Sequence, residues 1–402
     1  MSPEARNGPP ADLALSLVRD DPPFRALRAA GLIPREGLGT VRRAVFFALL
    51  TWLPIAVWDL LVHPAVPGGE PLLQHFSVHV RCLLAIPVLI LAQGFAHKTT
   101  TRLLPWFVKS GVVPTEERPA LEQVVHGVIR LRNAIGPWIV IAGLVIAWTA
   151  IEPVIQDADD LSWASTSSVS AAGASEVHLG FGGWWFLFVA RPIYIVLLLA
   201  WLWRVVLLTK LFRGIATLDL DLVPTHPDRV GGLGFVERFA TIFGPVTFAI
   251  SAVLASHWAH QVLYHDLPVK SLHAPAIVFL VVVLAVFLFP FLSFVGPLAA
   301  AKKRAELEYG ALVGEHGSLV RRRWILKEKI GDDALGVIQA PEIGPIADAV
   351  SLFDAVEHMR AFPIGKRAVI TIALPALIPI LVVIAIKVPV RQILGKLLKG
   401  LV

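Results

Sequence analysis

The nine residues His226-Pro227-Asp228-Arg229-Val230-Gly231-Gly232-Leu233-Gly234 are the densest run of chemically capable groups in the chain. Pro227 fixes one backbone angle. Gly231, Gly232 and Gly234 let the chain turn tightly and present consecutive N–H groups, which beside Arg229 could hold an anion. The same residues also suit a plain entry turn, in which Asp228 caps backbone N–H groups and His226 bonds a neighbouring loop. The glycine spacing is neither that of a dinucleotide fingerprint nor that of a P-loop. His-Pro-Asp is also the tripeptide of J domains, but Leu218 to Pro224 lacks the basic helix that such a domain needs before it, which excludes that reading.

A second set consists of charges placed where charge is costly. Asp59, Arg81, Glu152 and Arg191 lie in or beside apolar stretches, each towards the outer half of a membrane if the stretches cross one. Ionisable groups there are expensive unless paired or wetted. Asp59 with Arg81 and Glu152 with Arg191 are the natural pairs; they would either staple helices together or line an outward-facing polar vestibule. His257 and His260 stand at i and i+3 on one helix face, with His265 and His273 following. Two such histidines could share a metal or relay protons near neutral pH, or simply be hydrogen-bonded interfacial residues. No His-Glu-x-x-His arrangement exists, so zincin-type hydrolysis has no support. Arg204, Lys210 and Arg213 read as headgroup or topology anchors. The single cysteine, Cys82, excludes an intramolecular disulfide and a cysteine-based metal site. No cofactor is expected.

The elements that carry these residues follow from composition. Only 16% of the 402 residues are charged and 56% are hydrophobic, with a mean hydropathy of +0.70; a soluble domain carries about 25% charged residues. The apolar residues gather in runs of about 20, the length at which a helix crosses a bilayer core. Seven stretches qualify: Ala44 to Val62, Val78 to Ala96, Ala134 to Trp148, Trp184 to Leu208, Phe239 to Leu263, Pro275 to Ala300 and Ala368 to Ile386. The expected fold is therefore all-α: a polytopic transmembrane helical bundle of about seven spans. It divides into a cytoplasmic amphipathic N-terminal segment (1–43), a six-span region (44–300), a cytoplasmic helical insert (301–367), and a last span with a basic tail (368–402).

Loop charge sets the orientation. Residues 1–43 hold seven Lys/Arg, 97–133 six, 209–238 four and 301–367 eleven, whereas the alternate loops hold only Lys270. This asymmetry places the N-terminus in the cytoplasm and, with an odd span count, the C-terminus outside. The tail charges Lys387, Arg391, Lys396 and Lys399 run against that, and Pro375 and Pro379 leave open a re-entrant last segment. Nothing in the first 43 residues has the form of a cleavable signal peptide. The net charge of +6 is spread by loop and calls for no nucleic-acid partner. The acidic, then Ser/Ala/Gly-rich stretch from Glu152 to Gly183 predicts a flexible outer loop. Between spans six and seven, the stripe Ala305, Tyr309, Leu312, His316, Leu319 and Trp324 predicts that span six continues as a helix, interrupted near Gly310, Gly314 and Gly317. A second stripe, Ile346, Val350, Phe353, Val356 and Met359, predicts a helix that could pair with it as a hairpin.

Around the His226 motif the chain resembles a group of bacterial multi-pass inner-membrane proteins of uncharacterised activity. The shared pattern is Trp201-Leu-Trp-Arg204 closing span four, Leu218-Asp-Leu-Asp221, Thr225-His-Pro-Asp228 and Gly231-Gly-Leu-Gly-Phe235, with a segment around Pro363 before the last span. The resemblance implies an inner-membrane address and no chemistry.

Ionisable groups on several spans, with a polar motif at the inner mouth, point to a channel or transporter for an ion or small solute. In architecture alone, the seven passes resemble the insect chemoreceptor channels, which implies a homo-oligomer. The competing expectations are a membrane-embedded scaffold or sensor acting through its cytoplasmic helices, and a lipid-modifying enzyme using His226 and Asp228.

Overall fold

The structure, a computed structural model, describes residues 15–34, 37–62, 71–155, 163–169, 175–265, 267–328 and 343–387. Seven helices are long and apolar enough to cross a membrane: Thr40–Val62, Phe76–Lys109, Thr115–Ala150, Phe181–Ala216, Leu233–Tyr264, Val269–Ile325 and Lys366–Ile386, here spans one to seven. Each contains one of the stretches expected from hydropathy. Most extend beyond it, because polar residues at span ends continue the helix outside the apolar part.

Residues 15–34 are not a separate surface segment. Leu15, Leu17 and Val18 are fully buried in the main core, and a short lead helix, Pro22–Ala29, follows. It starts where its sequence dictates: Asp21 is the N-cap, its Oδ1 accepting from Phe24 N–H at 2.8 Å, and Pro22 occupies the first turn, where no N–H is needed. At the inner end of the bundle the core is aromatic. Phe212 meets Phe239, Phe294 and Phe291 with ring centroids 5.3, 5.2 and 5.5 Å apart, which ties span four to spans five and six.

Prolines shape the spans. Pro87 and Pro192 each lack the N–H that would close an α-helical turn, and just before them the helix widens into a π-helical turn, Val80–Ala85 in span two and Phe186–Ala190 in span four. Ile86 N–H therefore bonds Arg81 O, and Arg191 N–H bonds Phe186 O. Span seven contains Pro375 and Pro379 yet runs as one helix beside span five. Thr247 Oγ1 donates to Ile372 O at 3.0 Å and Ser251 Oγ donates to Ala376 O. Both carbonyls lie three residues before a proline, one residue past the Thr371 and Pro375 carbonyls that lose their helical N–H, so the hydroxyls tie the two helices together within the turns that the prolines loosen. Because 247 meets 372 and 251 meets 376, the two helices are parallel. Gly244 lets them approach, since a Cβ there would lie 3.0 Å from Thr371 O. A re-entrant last segment is thus replaced by a full-length helix parallel to span five.

Three expectations need correction. The helix Val295–Val320 runs unbroken through Gly310, Gly314 and Gly317. It forms an antiparallel hairpin with the helix Ile343–Glu357, in which Gly310 and Gly317 face Phe353 and Ile346; these glycines permit close packing and do not interrupt the helix. In the second helix Ala349, not Val350, joins the buried face, with Val350 exposed. Finally, the outer loop holds an antiparallel pair of strands, β1 (Ser165–Val169) and β2 (Ser175–Leu179), with Ser167 opposite Val177. The β-branched Thr166, Val169 and Val177 favour this pairing. Trp163 and Ala164, just before β1, are buried, and Gly180 N–H bonds Ala164 O at 2.8 Å.

If the two hydroxyls support the proline turns, Thr247→Val should destabilise the detergent-solubilised protein by about 1 kcal/mol, the upper part of the range for such bonds. In a Pro375→Ala background, where the helix closes its own turn, the loss should shrink. Equal losses in both backgrounds, measured by thermal unfolding, would separate Thr247 from the proline.

Candidate functional site

The His226–Gly234 loop folds around its own carboxylate. Asp228 Oδ1 accepts from the N–H groups of Val230 at 2.9 Å and Gly232 at 3.2 Å, and Oδ2 accepts from Gly234 at 2.8 Å. His226 Nδ1 lies 2.9 Å from Oδ1. The glycines are needed here: Gly231 and Gly232 have φ of +64° and +94°, and a Cβ on Gly234 would lie 2.9 Å from Asp228 Oδ2. Burial alone would raise the Asp228 carboxyl; the N–H groups of Val230, Gly234 and Gly232, together with His226, outweigh it and hold the group below the ordinary value. The converging N–H groups that could have held an outside anion are thus occupied by an inside one. Around this knot the neighbouring segments are joined: Asp221 N–H bonds Val112 O at 2.9 Å and Arg360 N–H bonds Arg229 O at 2.7 Å. Glu237 Oε1 accepts from Ala368 N–H at 2.8 Å, capping the start of span seven.

At the opposite end of the bundle, Arg81 and Arg191 converge on one ring, their guanidinium carbons 5.1 and 4.8 Å from the Phe186 centroid, and Arg81 also lies 5.6 Å from Tyr194. The two π-helical turns set this arrangement, since Arg81 lies within the first and Arg191 directly follows the second. Asp59 is half-buried on span one; the side chain of Glu152, and with it the expected pair to Arg191, lies outside the described residues. Above the arginines, Trp58 packs edge-on to Trp163. His260 stacks on His75, centroids 4.7 Å apart, and approaches His265 at 5.3 Å; its Nδ1 lies 3.1 Å from Gln74 O. His257 is half-buried. Among the described residues, no group of three or more His, Cys, Asp or Glu is placed to hold a metal ion.

The largest concentration of buried charge was not legible as a site. Asp21, Arg43 and Arg204 are 4%, 3% and 4% exposed and meet under the lead helix at the inner end of spans one and four. Asp21 Oδ2 lies 3.6 Å from Arg204 Nη2, and Arg132 Nη1 bonds Ser16 O nearby. Arg204, expected as a headgroup or topology anchor, is instead enclosed, its guanidinium 4.9 Å from the Trp201 ring; Lys210 and Arg213 are exposed. Among the described residues, Arg43 Nε and Nη2 and Arg204 Nε and Nη1 are buried without a hydrogen-bond partner. Burial pushes the Asp21 carboxyl up, against the opposing pull of Arg204, the Phe24 N–H, Arg132 and Arg43. The arginines close one end of a cavity of about 340 Å³, whose other walls include Phe24, Phe47, Trp138, Ile193, Val196 and Leu197.

Comparison of the chain with known protein families, with curated proteins and with solved structures finds no match.

The geometry of the Asp228 knot sets what Asn would do there. Asn offers one acceptor oxygen and turns an NH2 group towards N–H donors, so at least one of three backbone N–H groups loses its acceptor. Asp228→Asn should cost about 1–3 kcal/mol in thermal or denaturant unfolding. Because the folded-state value is depressed, the stabilisation from Asp228 is present above its ordinary value of 3.8 and is lost as pH falls through the folded value. The variant should accordingly show a flatter acid limb than the parent. A variant as stable as the parent at neutral pH, with the same acid limb, would remove Asp228 from the loop's support.

Proposed function

We propose that the protein is a transporter for a small anionic solute, which it binds at the inner end of spans one to four. The observation that supports this reading is the charge imbalance beneath the lead helix: Arg43, Arg132 and Arg204 against one buried carboxylate, Asp21, with four guanidinium nitrogens unpartnered among the described residues. Buried cations are costly without compensation, so a site that keeps spare donors is suited to an incoming anion. The lead helix covers the cluster, so exchange requires it to move, which favours a carrier over an open channel.

Residence in a bacterial inner membrane, with the N-terminus in the cytoplasm, belongs to the same proposal and is supported by the loop charges. Maleimide applied from outside should label a cysteine at Ser168 but not one at Ser318; labelling of both in intact cells would reverse it. Catalysis at His226 and Asp228 gains no support, because the carboxylate is engaged by three N–H groups. A scaffold role draws support from Trp324, Ile325 and Leu326, which are exposed at the end of the span-six helix.

The transport reading is tested in proteoliposomes. Uptake from a panel of small organic carboxylates and phosphates should be protein-dependent, and Arg43→Gln and Arg204→Gln should each lower it at least tenfold while the protein remains monodisperse. Uptake indifferent to both substitutions, or no uptake beside stoichiometric co-purification of a cytoplasmic protein, would overturn it.

A further inference from the structure

The cavity that ends at Arg43 and Arg204 has the shape and polarity of a site for an amphiphile. Its polar end brings together the two guanidinium groups and the Asp21 carboxylate, all more than nine-tenths buried, with Gln93, 4% exposed. Trp138 Nε1, also on the wall, is buried without a partner among the described residues. Away from that end the lining is apolar: Phe47 on span one, Ile90 on span two, and Pro192, Ile193, Val196, Leu197 and Ala200 along span four. From Pro192 to Arg204 the groove follows twelve residues of helix, about 18 Å at 1.5 Å per residue. It is not enclosed, and its walls come from the membrane-crossing helices and from Pro23, Phe24 and Leu27 of the lead helix.

A hydrophilic anion would leave that apolar length without a partner, whereas a purely apolar ligand would leave the guanidinium N–H groups unsatisfied, at the full desolvation cost. We propose that this cavity binds an anionic phospholipid from the bilayer, its phosphate on Arg43 and Arg204 and one acyl chain along span four. The volume of about 340 Å³ suits one chain better than two, so the second remains in the surrounding bilayer. Arg suits this role because its planar fork presents parallel N–H donors to phosphate oxygens. Asp21, 3.6 Å from Arg204, holds the cationic end partly neutralised and sits on the element that the headgroup would contact from the cytoplasmic side.

This inference rests on the reading of the arginine cluster as an anion-binding site, and assigns that site a bilayer lipid. The test uses the full chain, delipidated in detergent and then offered phosphatidylglycerol or phosphatidylcholine at equal concentration. Native mass spectrometry should show one retained phosphatidylglycerol per chain, at least tenfold above phosphatidylcholine. Retention should fall at least tenfold in Arg43→Gln/Arg204→Gln. Val196→Trp, which fills the groove and leaves both arginines in place, should lower retention comparably, so the proposal stays testable if the arginine variant does not fold. Millimolar inorganic phosphate should not displace the lipid. Equal retention of the two lipids, or full retention in Val196→Trp, would overturn the proposal, and displacement by free phosphate would show an anion site without an acyl groove. Small-anion uptake that needs the arginines, with no lipid bound, would leave the transport reading standing and remove this one. Lipid binding without any uptake would do the reverse.

Discussion

A backbone carbonyl in hydrocarbon has no water to turn to, and this chain places prolines inside its membrane helices all the same. Pro87, Pro192, Pro375 and Pro379 each remove one donor from the helix ladder, and the fold answers these four in two ways. In spans two and four the turn before the proline widens, so that Ile86 N–H reaches Arg81 O and Arg191 N–H reaches Phe186 O. In span seven the loosened turns are met from outside, by the hydroxyls of Thr247 and Ser251. The first answer places Arg81 within one widened turn and Arg191 directly after the other, both against the Phe186 ring; the second locks spans five and seven in parallel. Much of the bundle's arrangement therefore follows from where Pro87, Pro192, Pro375 and Pro379 stand.

The same economy of polar groups decides what the Asp228 loop and the Arg43 and Arg204 cluster can do. The Asp228 loop is closed, because the Asp228 carboxylate accepts from three of its N–H groups; with Arg229 O accepting from Arg360 and Asp221 N–H on Val112 O just before it, it is a clamp between the approaches to spans three, five and seven. The Arg43 and Arg204 cluster is open in the chemical sense. It has more buried donors than acceptors, and it borders a cavity. Buried groups left unmatched cost free energy that a structural role would not require, and this difference, not residue type, separates a clamp from a binding site.

The sequence made the spans legible because a run of about 20 apolar residues has few other uses, and the charge alternation of the loops is a count that needs no coordinates. The hairpin helices were readable from stripes such as Ala305, Tyr309, Leu312 and His316, since periodicity is a local property. Gly310 and Gly317 were misread because a glycine's local cost to a helix is visible in sequence, while the close approach of Phe353 and Ile346 that it permits is not. The pairing of His260 with His75, and of Arg204 with Asp21, joins residues 185 and 183 positions apart. Composition flagged His260, but His75 sits in a short turn before span two with no signal of its own. Asp21 did carry a signal, as an N-cap followed by two prolines, although that signal speaks only of where a helix begins.

Asp21 shows why such a site escapes local reading. As a helix cap it satisfies Phe24 N–H with one oxygen, and this alone would account for its presence. Its second oxygen faces Arg204, in a place where burial disfavours the charge that the arginines favour. One carboxylate cannot saturate two guanidinium groups that together offer ten N–H bonds in fixed forks, so the cap neutralises the cluster in part and leaves donors over. The residue that starts the lead helix is thus also the counter-ion of the cavity, and any motion that carries the helix away uncovers two arginines at once. Cover and charge compensation are supplied by a single short element, and so they must change together.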